Sequence, residues 1–198
     1  FFADKETLNL AAVSGKIAFL DPRTGKTSWS GPWKIFLNNA QIAQPLALAN
    51  DSILLSAGYG KGSERWEATP GSGEPYAVDS TWKSKNLKSK FSNPVLKDGF
   101  IYGFNENSFT CLDASDGKLK WRGRKYGYGR VLLADDKLVI LGNTGVLSVV
   151  QANPDKFVEI YSGQLLSNAR CWNGPALTAG YLLARNGQEI ACFDWAKR

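Results

Sequence analysis

The chain has no histidine, which removes the commonest catalytic base and metal ligand. Its three cysteines, Cys111, Cys171 and Cys192, make no Cys-x-x-Cys or metal-ligand spacing, and an odd count leaves at least one thiol free. Cys111 in FTCLDA and Cys192 in IACFDW hold the same place in a repeated pattern. That predicts two small buried core residues in separate repeats, too far apart for a bridge that needs Cα atoms within about 7 Å. Asp21, Asp113 and Asp194 also recur at one place, which points to turn chemistry, and no acid pair has a recognisable role. No catalytic residue and no metal ligand is assigned. What remains is side chains suited to binding: Tyr59 and Lys61 in GYGKG, then Tyr126, Tyr128 and Arg130 in YGYGR, with Trp172 and Arg185 further on. Glycine permits close approach, and Tyr, Trp and Arg can stack on or hydrogen-bond a partner. Alternatively, the aromatics cap contacts between repeats.

The charge balance adds little. Net charge is +6, which favours anionic partners at short range. It is compatible with nucleic acid without arguing for it, and nucleic acid ranks last among partners. Basic residues gather at Lys83, Lys85, Lys88 and Lys90, and at Arg122, Arg124, Lys125 and Arg130. The near-alternation of the first group fits the solvent face of an edge strand, where Lys discourages edge-to-edge pairing. An anion site is the other reading.

A chain of 198 residues with 43% apolar and 12% aromatic content can bury a real core. Its 21% charged residues and 20 glycines are near ordinary usage, which excludes collagen-like, coiled-coil and low-complexity readings. Uncharged apolar runs such as Gly142 to Gln151 are too short to span a bilayer as a helix, so no membrane span is expected. The opening FFADKETLNL lacks the basic region of a signal peptide, and there is no Met.

Self-similarity organises the chain. SGKIAFLDPRTGKTSWSG and ENSFTCLDASDGKLKWRG align, placing Asp21, Gly25 and Trp29 opposite Asp113, Gly117 and Trp121. A third copy, GQEIACFDW, carries Asp194. The three Asp are spaced 92 and 81 residues apart, so one degenerate copy in each gap makes the unit roughly 40 to 46 residues; Trp82 falls in the first gap. One unit resolves into four short strands, FSNPVLKDG, FIYGFNE, SFTCLDA and KLKWRGR, separated by turns with Gly. Four antiparallel strands per unit of that length mark a β-propeller blade. The Trp of the fourth strand is expected to pack between blades, and the Asp-x-x-x-Gly turn to hold strands three and four in register.

The expected fold is therefore all-β: about four and a half blades, at approximately 1–33, 34–88, 89–125, 126–167 and 168–198. The first unit lacks a good first strand and the last lacks a fourth. Propellers close by completing one terminus's blade from the other, so the chain is expected to be the C-terminal part of a seven- or eight-bladed ring, with an N-terminal propeller segment missing. First-to-second and third-to-fourth turns share one face. The second-to-third and blade-to-blade connections, read as longer, share the other, and that loop face is the expected binding face.

The run Asp98-Gly99-Phe100-Ile101-Tyr102-Gly103, then Cys111-Leu112-Asp113-Ala114, Gly117-Lys118 and Trp121, resembles the tryptophan-docking repeat of the pyrroloquinoline-quinone-like propellers. That family includes quinoprotein alcohol dehydrogenases and an outer-membrane assembly lipoprotein. The resemblance covers essentially the whole chain and implies a non-catalytic binding or scaffold propeller of the bacterial cell envelope, periplasmic or secreted, taking a protein or small molecule at its loop face. The alternative it implies is a quinone-dependent dehydrogenase sharing its site with a missing N-terminal half. The family's dehydrogenases use pyrroloquinoline quinone and calcium beneath a pair of adjacent cysteines, and no such pair is present. No cofactor is evident from the residues themselves.

Overall fold

The structure, a computed structural model, describes residues 9–13, 15–21, 23–36, 41–49, 52–69 and 77–195. The described residues form eighteen strands and no α-helix. Five antiparallel sheets follow one another along the chain, each a simple meander. The first holds β1 (Asn9–Val13), β2 (Lys16–Leu20) and β3 (Thr27–Pro32). The second holds β4 (Leu46–Ala47), β5 (Ser52–Ala57), β6 (Gly62–Thr69) and β7 (Ala77–Ser84). The third, the unit whose strands are plainest in the sequence, holds β8 (Val95–Lys97), β9 (Phe100–Asn105), β10 (Ser108–Asp113) and β11 (Leu119–Lys125). The fourth holds β12 (Arg130–Ala134), β13 (Lys137–Leu141), β14 (Val146–Gln151) and β15 (Glu159–Gln164). The fifth holds β16 (Ala176–Thr178), β17 (Tyr181–Arg185) and β18 (Ile190–Asp194). This is a β-propeller arc. The middle three sheets have four strands each; the outer two have three among the described residues. The opening Phe1 to Lys5, which would supply a strand only in a five-bladed ring, lies outside the described residues.

Burial follows strand position. The second strands of the middle sheets, SILLSA of β5, FIYGFN of β9 and KLVIL of β13, are covered on both faces and largely apolar, and so are most of the third strands β10 and β14, whereas β6 carries Glu64, Arg65 and Glu67 and is only partly covered. The fourth strands are mostly exposed, and in β11 Lys120 and Arg122 face solvent on either side of buried Trp121. The turns are chemically determined. Asp98-Gly99 and Ala179-Gly180 have positive φ at both residues, the mirror-image hairpin that matches strand twist. In the third-to-fourth turns, Asp21 Oδ1 accepts from the Arg23 N–H at 2.7 Å and Asp113 Oδ1 from the Ser115 N–H at 2.9 Å. The N–H groups of Gly25 and Gly117 donate to the carbonyls of Asp21 and Asp113, and both glycines have φ of 70°. Asp194 stands at the equivalent place, opposite Tyr181 as Asp113 stands opposite Phe100.

The tryptophans join the sheets. Trp82 Nε1 donates to the Ala114 carbonyl at 3.1 Å, and Trp121 Nε1 to the Asn153 carbonyl at 2.7 Å, each reaching the next blade 32 residues on. Trp29 meets Trp66 of the second sheet edge-on at 5.7 Å. The largest core cluster lies between the third and fourth sheets, where Tyr102, Phe104, Phe109, Cys111 and Trp121 pack on Leu138, Ile140 and Val150. Dispersion and apolar burial thus run from blade to blade rather than around a single centre.

Three expectations are corrected. Cys111 is fully buried, but Cys192 is exposed, because no further sheet covers its face of β18 among the described residues. Only Lys83 of the first lysine group lies on a strand; Lys85, Lys88 and Lys90 fall in the connection that follows β7. The second-to-third connections are short: Gly58-Tyr59-Gly60-Lys61 is a tight turn with φ of 57° at Tyr59 and 77° at Gly60. The longest connections, 33–45, 85–94 and 165–175, are blade-to-blade, but the fourth, 126–129, is as short as a hairpin loop.

Candidate binding face

The blade-to-blade connections feed the inner strands β4, β8, β12 and β16 at one end of the arc. Three of them end in the same way: Ile42-Ala43-Gln44-Pro45, Phe91-Ser92-Asn93-Pro94 and Trp172-Asn173-Gly174-Pro175 each put a large apolar residue three positions before a proline that opens the inner strand. The first two connections are tied together, Gln44 N–H donating to Asn93 Oδ1 at 2.9 Å. Rigid strands therefore present a row of side chains from separate blades on one surface.

Those side chains touch. The Lys90 ammonium lies 4.5 Å from the centre of the Tyr59 ring, 4.9 Å from Tyr128 and 5.4 Å from Phe91. Phe91 meets Tyr128 edge-on at 5.4 Å and stacks on Trp172 at 6.4 Å with an 18° tilt. The Arg170 guanidinium covers the other reach of Trp172 at 4.8 Å. Cation–π attraction of this kind is worth about 0.5–1 kcal/mol per exposed contact and holds the cations over the rings. Trp172 is nevertheless 59% exposed and Tyr128 36%. Arg130 turns its guanidinium back onto the carbonyls of Tyr128 and Gly129, both at 3.3 Å. Burial lowers its pKa from the ordinary value, and an Arg keeps its charge regardless. Arg185 is exposed on β17, with its carbonyl accepting from Cys171 Sγ at 3.1 Å. Burial raises the Cys171 thiol pKa, while Arg130 and Arg185 on either side oppose the rise.

Of the sequence-predicted binding residues, Tyr59, Tyr128 and Trp172 are thus joined by ring and cation contacts, while Arg130 borders Gly174 and Arg185 lies beside Cys171, the neighbour of Trp172. Tyr126 and Lys61 do not join them. Tyr126 is 7% exposed, and its hydroxyl donates to Glu159 Oε1 at 2.7 Å, so it clasps the third sheet to the fourth. Lys61 lies over Trp33 at 4.0 Å and pairs with Glu64 at 3.2 Å. The structural set behaves differently: Asp21, Gly25, Asp113 and Gly117 make turns, and Trp29, Trp82 and Trp121 make blade contacts on the opposite end or rim. Sequence reasoning missed Lys90 and Phe91. The repeated apolar-x-x-Pro ending of the connections was the signal that marks Phe91 as an equivalent of Trp172.

Among the described residues no group of three or more His, Cys, Asp or Glu stands close enough to hold a metal ion. Cys111, Cys171 and Cys192 are all free thiols. No described helix is long and apolar enough to cross a membrane.

Comparison with known proteins places the arc. No curated protein sequence matches the chain. Among solved structures, BamB from Moraxella catarrhalis superposes with a TM-score of 0.66 at 13% identity, covering 91% of this chain and 56% of that one. The computationally designed Ika8 protein gives 0.67 at 13% identity, over 98% and 57%. The Cps50 (Swd1) β-propeller domain from Myceliophteria thermophila gives 0.63 at 13% identity, over 96% and 66%. The chain therefore spans a little over half to about two thirds of the length of these proteins, and at this identity they establish fold alone. A family model described as outer membrane protein assembly factor BamB matches residues 2–123. With its tryptophan-docked blades and more than half its length matched, the chain belongs to that BamB-type propeller family.

Proposed function

We propose that the chain is part of a non-catalytic β-propeller scaffold of the bacterial cell envelope that binds a partner through the surface carrying Lys90, Phe91, Tyr128 and Trp172. The observation behind this reading is the convergence of side chains from three separate blade-to-blade connections, with Trp172 left 59% exposed. A large aromatic held in place on a rigid frame is the usual anchor of a protein interface. Membership of a family described by an outer membrane assembly factor supports the envelope setting. A photoreactive p-benzoylphenylalanine placed at position 172, and another at position 23 on the opposite turn face, tests the reading in cells. A discrete cross-linked partner from position 172 and none from position 23 is expected; the reverse pattern overturns it.

A further inference from the structure

The charge distribution around the exposed Trp172 narrows what could sit there. Lys90 and Arg170 lie over the aromatic row, Arg130 and Arg185 stand near Cys171, the neighbour of Trp172, and among the described residues none of the four forms an ion pair with a carboxylate. Elsewhere the chain pairs such cations: Lys61 and Lys83 with Glu64, Arg65 with Glu67, Arg124 with Glu159. Two carboxylates that bond to residues of these connections are engaged by neutral donors. Glu106 accepts from the Tyr59 N–H at 3.1 Å. Glu189 accepts from the Ser167 N–H and the Asn186 amide, whose hydrogen bonds hold its carboxyl below the ordinary range. Neither neutralises the four cations.

The arrangement is directional as well as positive. The links Lys90 to Tyr128, Phe91 to Trp172 and Trp172 to Arg170 carry the surface across the third, fourth and fifth blades. Gly187 N–H donates to the Arg170 carbonyl at 3.2 Å, and a side chain at Gly174 would lie 3.7 Å from Arg130 Cβ, so Arg170, Arg130 and the fifth blade are tied together. Cations and rings thus follow one another from Lys90 through Phe91 and Trp172 to Arg170 rather than gather at one point. A single small anion would engage one or two of them; an extended chain with carboxylates at intervals would engage all.

The geometry points to an acidic peptide segment, Asp- and Glu-bearing and with aromatic or apolar side chains between, as the partner element recognised at this surface. This rests on the binding-face reading above and gives it a chemical class. Carboxylates would take the bidentate geometry of Arg170 and Arg185, and the intervening side chains would lie on Trp172 and Tyr128.

The test uses the full chain and two fluorescein-labelled peptides, one alternating Glu and Tyr, the other alternating Gln and Tyr, followed by fluorescence anisotropy. The Glu peptide is expected to bind at least about tenfold more tightly than the Gln peptide at low salt and to lose most of that advantage near about 0.3 M salt, where the screening length is short. An Arg170→Gln/Arg185→Gln variant, changed only at exposed side chains, should weaken the Glu peptide by about tenfold. Arg23→Gln on the opposite face should leave it unchanged, and near-ultraviolet circular dichroism checks that both variants keep native packing. Equal binding of the two peptides, each weakened by Trp172→Ala, overturns the acidic class while leaving the binding face intact. Failure of the Glu peptide to bind at low salt, or binding indifferent to Arg170→Gln/Arg185→Gln, also overturns it. The cross-linking experiment at position 172 decides the binding face separately.

Discussion

Trp121 Nε1 donates to the Asn153 carbonyl of the next blade at 2.7 Å, and the same ring packs against Tyr102, Phe109 and Phe157. One side chain therefore closes a polar and an apolar contact across the same interface. Trp121→Phe keeps most of the apolar contact and orphans the carbonyl, an expected loss of about 1–2 kcal/mol. Trp121→Ala also opens a cavity and should cost about 3–5 kcal/mol. Denaturant unfolding of both variants checks the order; no loss in Trp121→Phe would show that the hydrogen bond contributes nothing, and equal losses would show that the ring contacts add nothing beyond it.

Gly25 and Gly117 form a natural control pair, since both sit at φ of 70° in equivalent turns. A Cβ at Gly25 would meet nothing within 4 Å, whereas one at Gly117 would fall 2.5 Å from Trp82 Cε3. Gly25→Ala should cost about 1–2 kcal/mol of backbone strain alone. Gly117→Ala should cost at least about 1 kcal/mol more, because the Trp82 ring must shift from its place on the third blade. Midpoint shifts of the same size in the two variants would mean that Trp82 is not docked there.

What the sequence made legible was local. The Asp-to-Gly turns and the strands around them declare themselves in short motifs, because Asp21 and Asp113 bond to amides two residues on. Trp82 and Trp121 could be assigned to blade contacts because the repeat sets the neighbouring blade a fixed distance along the chain. Residues whose role depends on the path of a connection were not legible. Lys90 resembled one member of a strand's alternating lysines, yet β7 stops at Ser84 and the chain then carries Lys90 to Tyr128 of another blade. Tyr126 and Tyr128 are two residues apart in one Gly-rich run, and only the position of Glu159 separates the buried clasp from the exposed ring. Likewise, Cys192 shares its motif with Cys111, but burial needs a neighbouring sheet that the motif does not specify.

The Glu159 clasp carries a pH dependence. Burial opposes ionisation of its carboxyl, but hydrogen bonds from Tyr126, Arg124 and Ser148 outweigh it and hold its pKa below the ordinary 4.5. A carboxylate with a depressed native pKa adds stability that is fully present above the ordinary value and is lost as pH falls through the native one. Unfolding midpoints should therefore drop between about pH 5 and pH 3, and Glu159→Gln should reduce that drop. An unchanged slope in the variant would place the acid sensitivity in other carboxylates.

Thiol accessibility should separate the cysteines in a single titration. Cys192 is exposed on β18. Cys111 is fully buried, and burial pushes its pKa up to about 12, so almost no thiolate forms at neutral pH. Cys171 is 1% exposed with its pKa also raised by burial. A disulfide reagent such as dithionitrobenzoate should modify one thiol quickly in the native chain and all three after unfolding. Cys192→Ser should abolish the fast phase and leave the slow ones, since only its side chain faces solvent. Fast reaction of two thiols would mean that Cys171, the residue beneath Arg130 and Arg185, opens with the binding face; protection of all three would mean that something covers the outer face of β18.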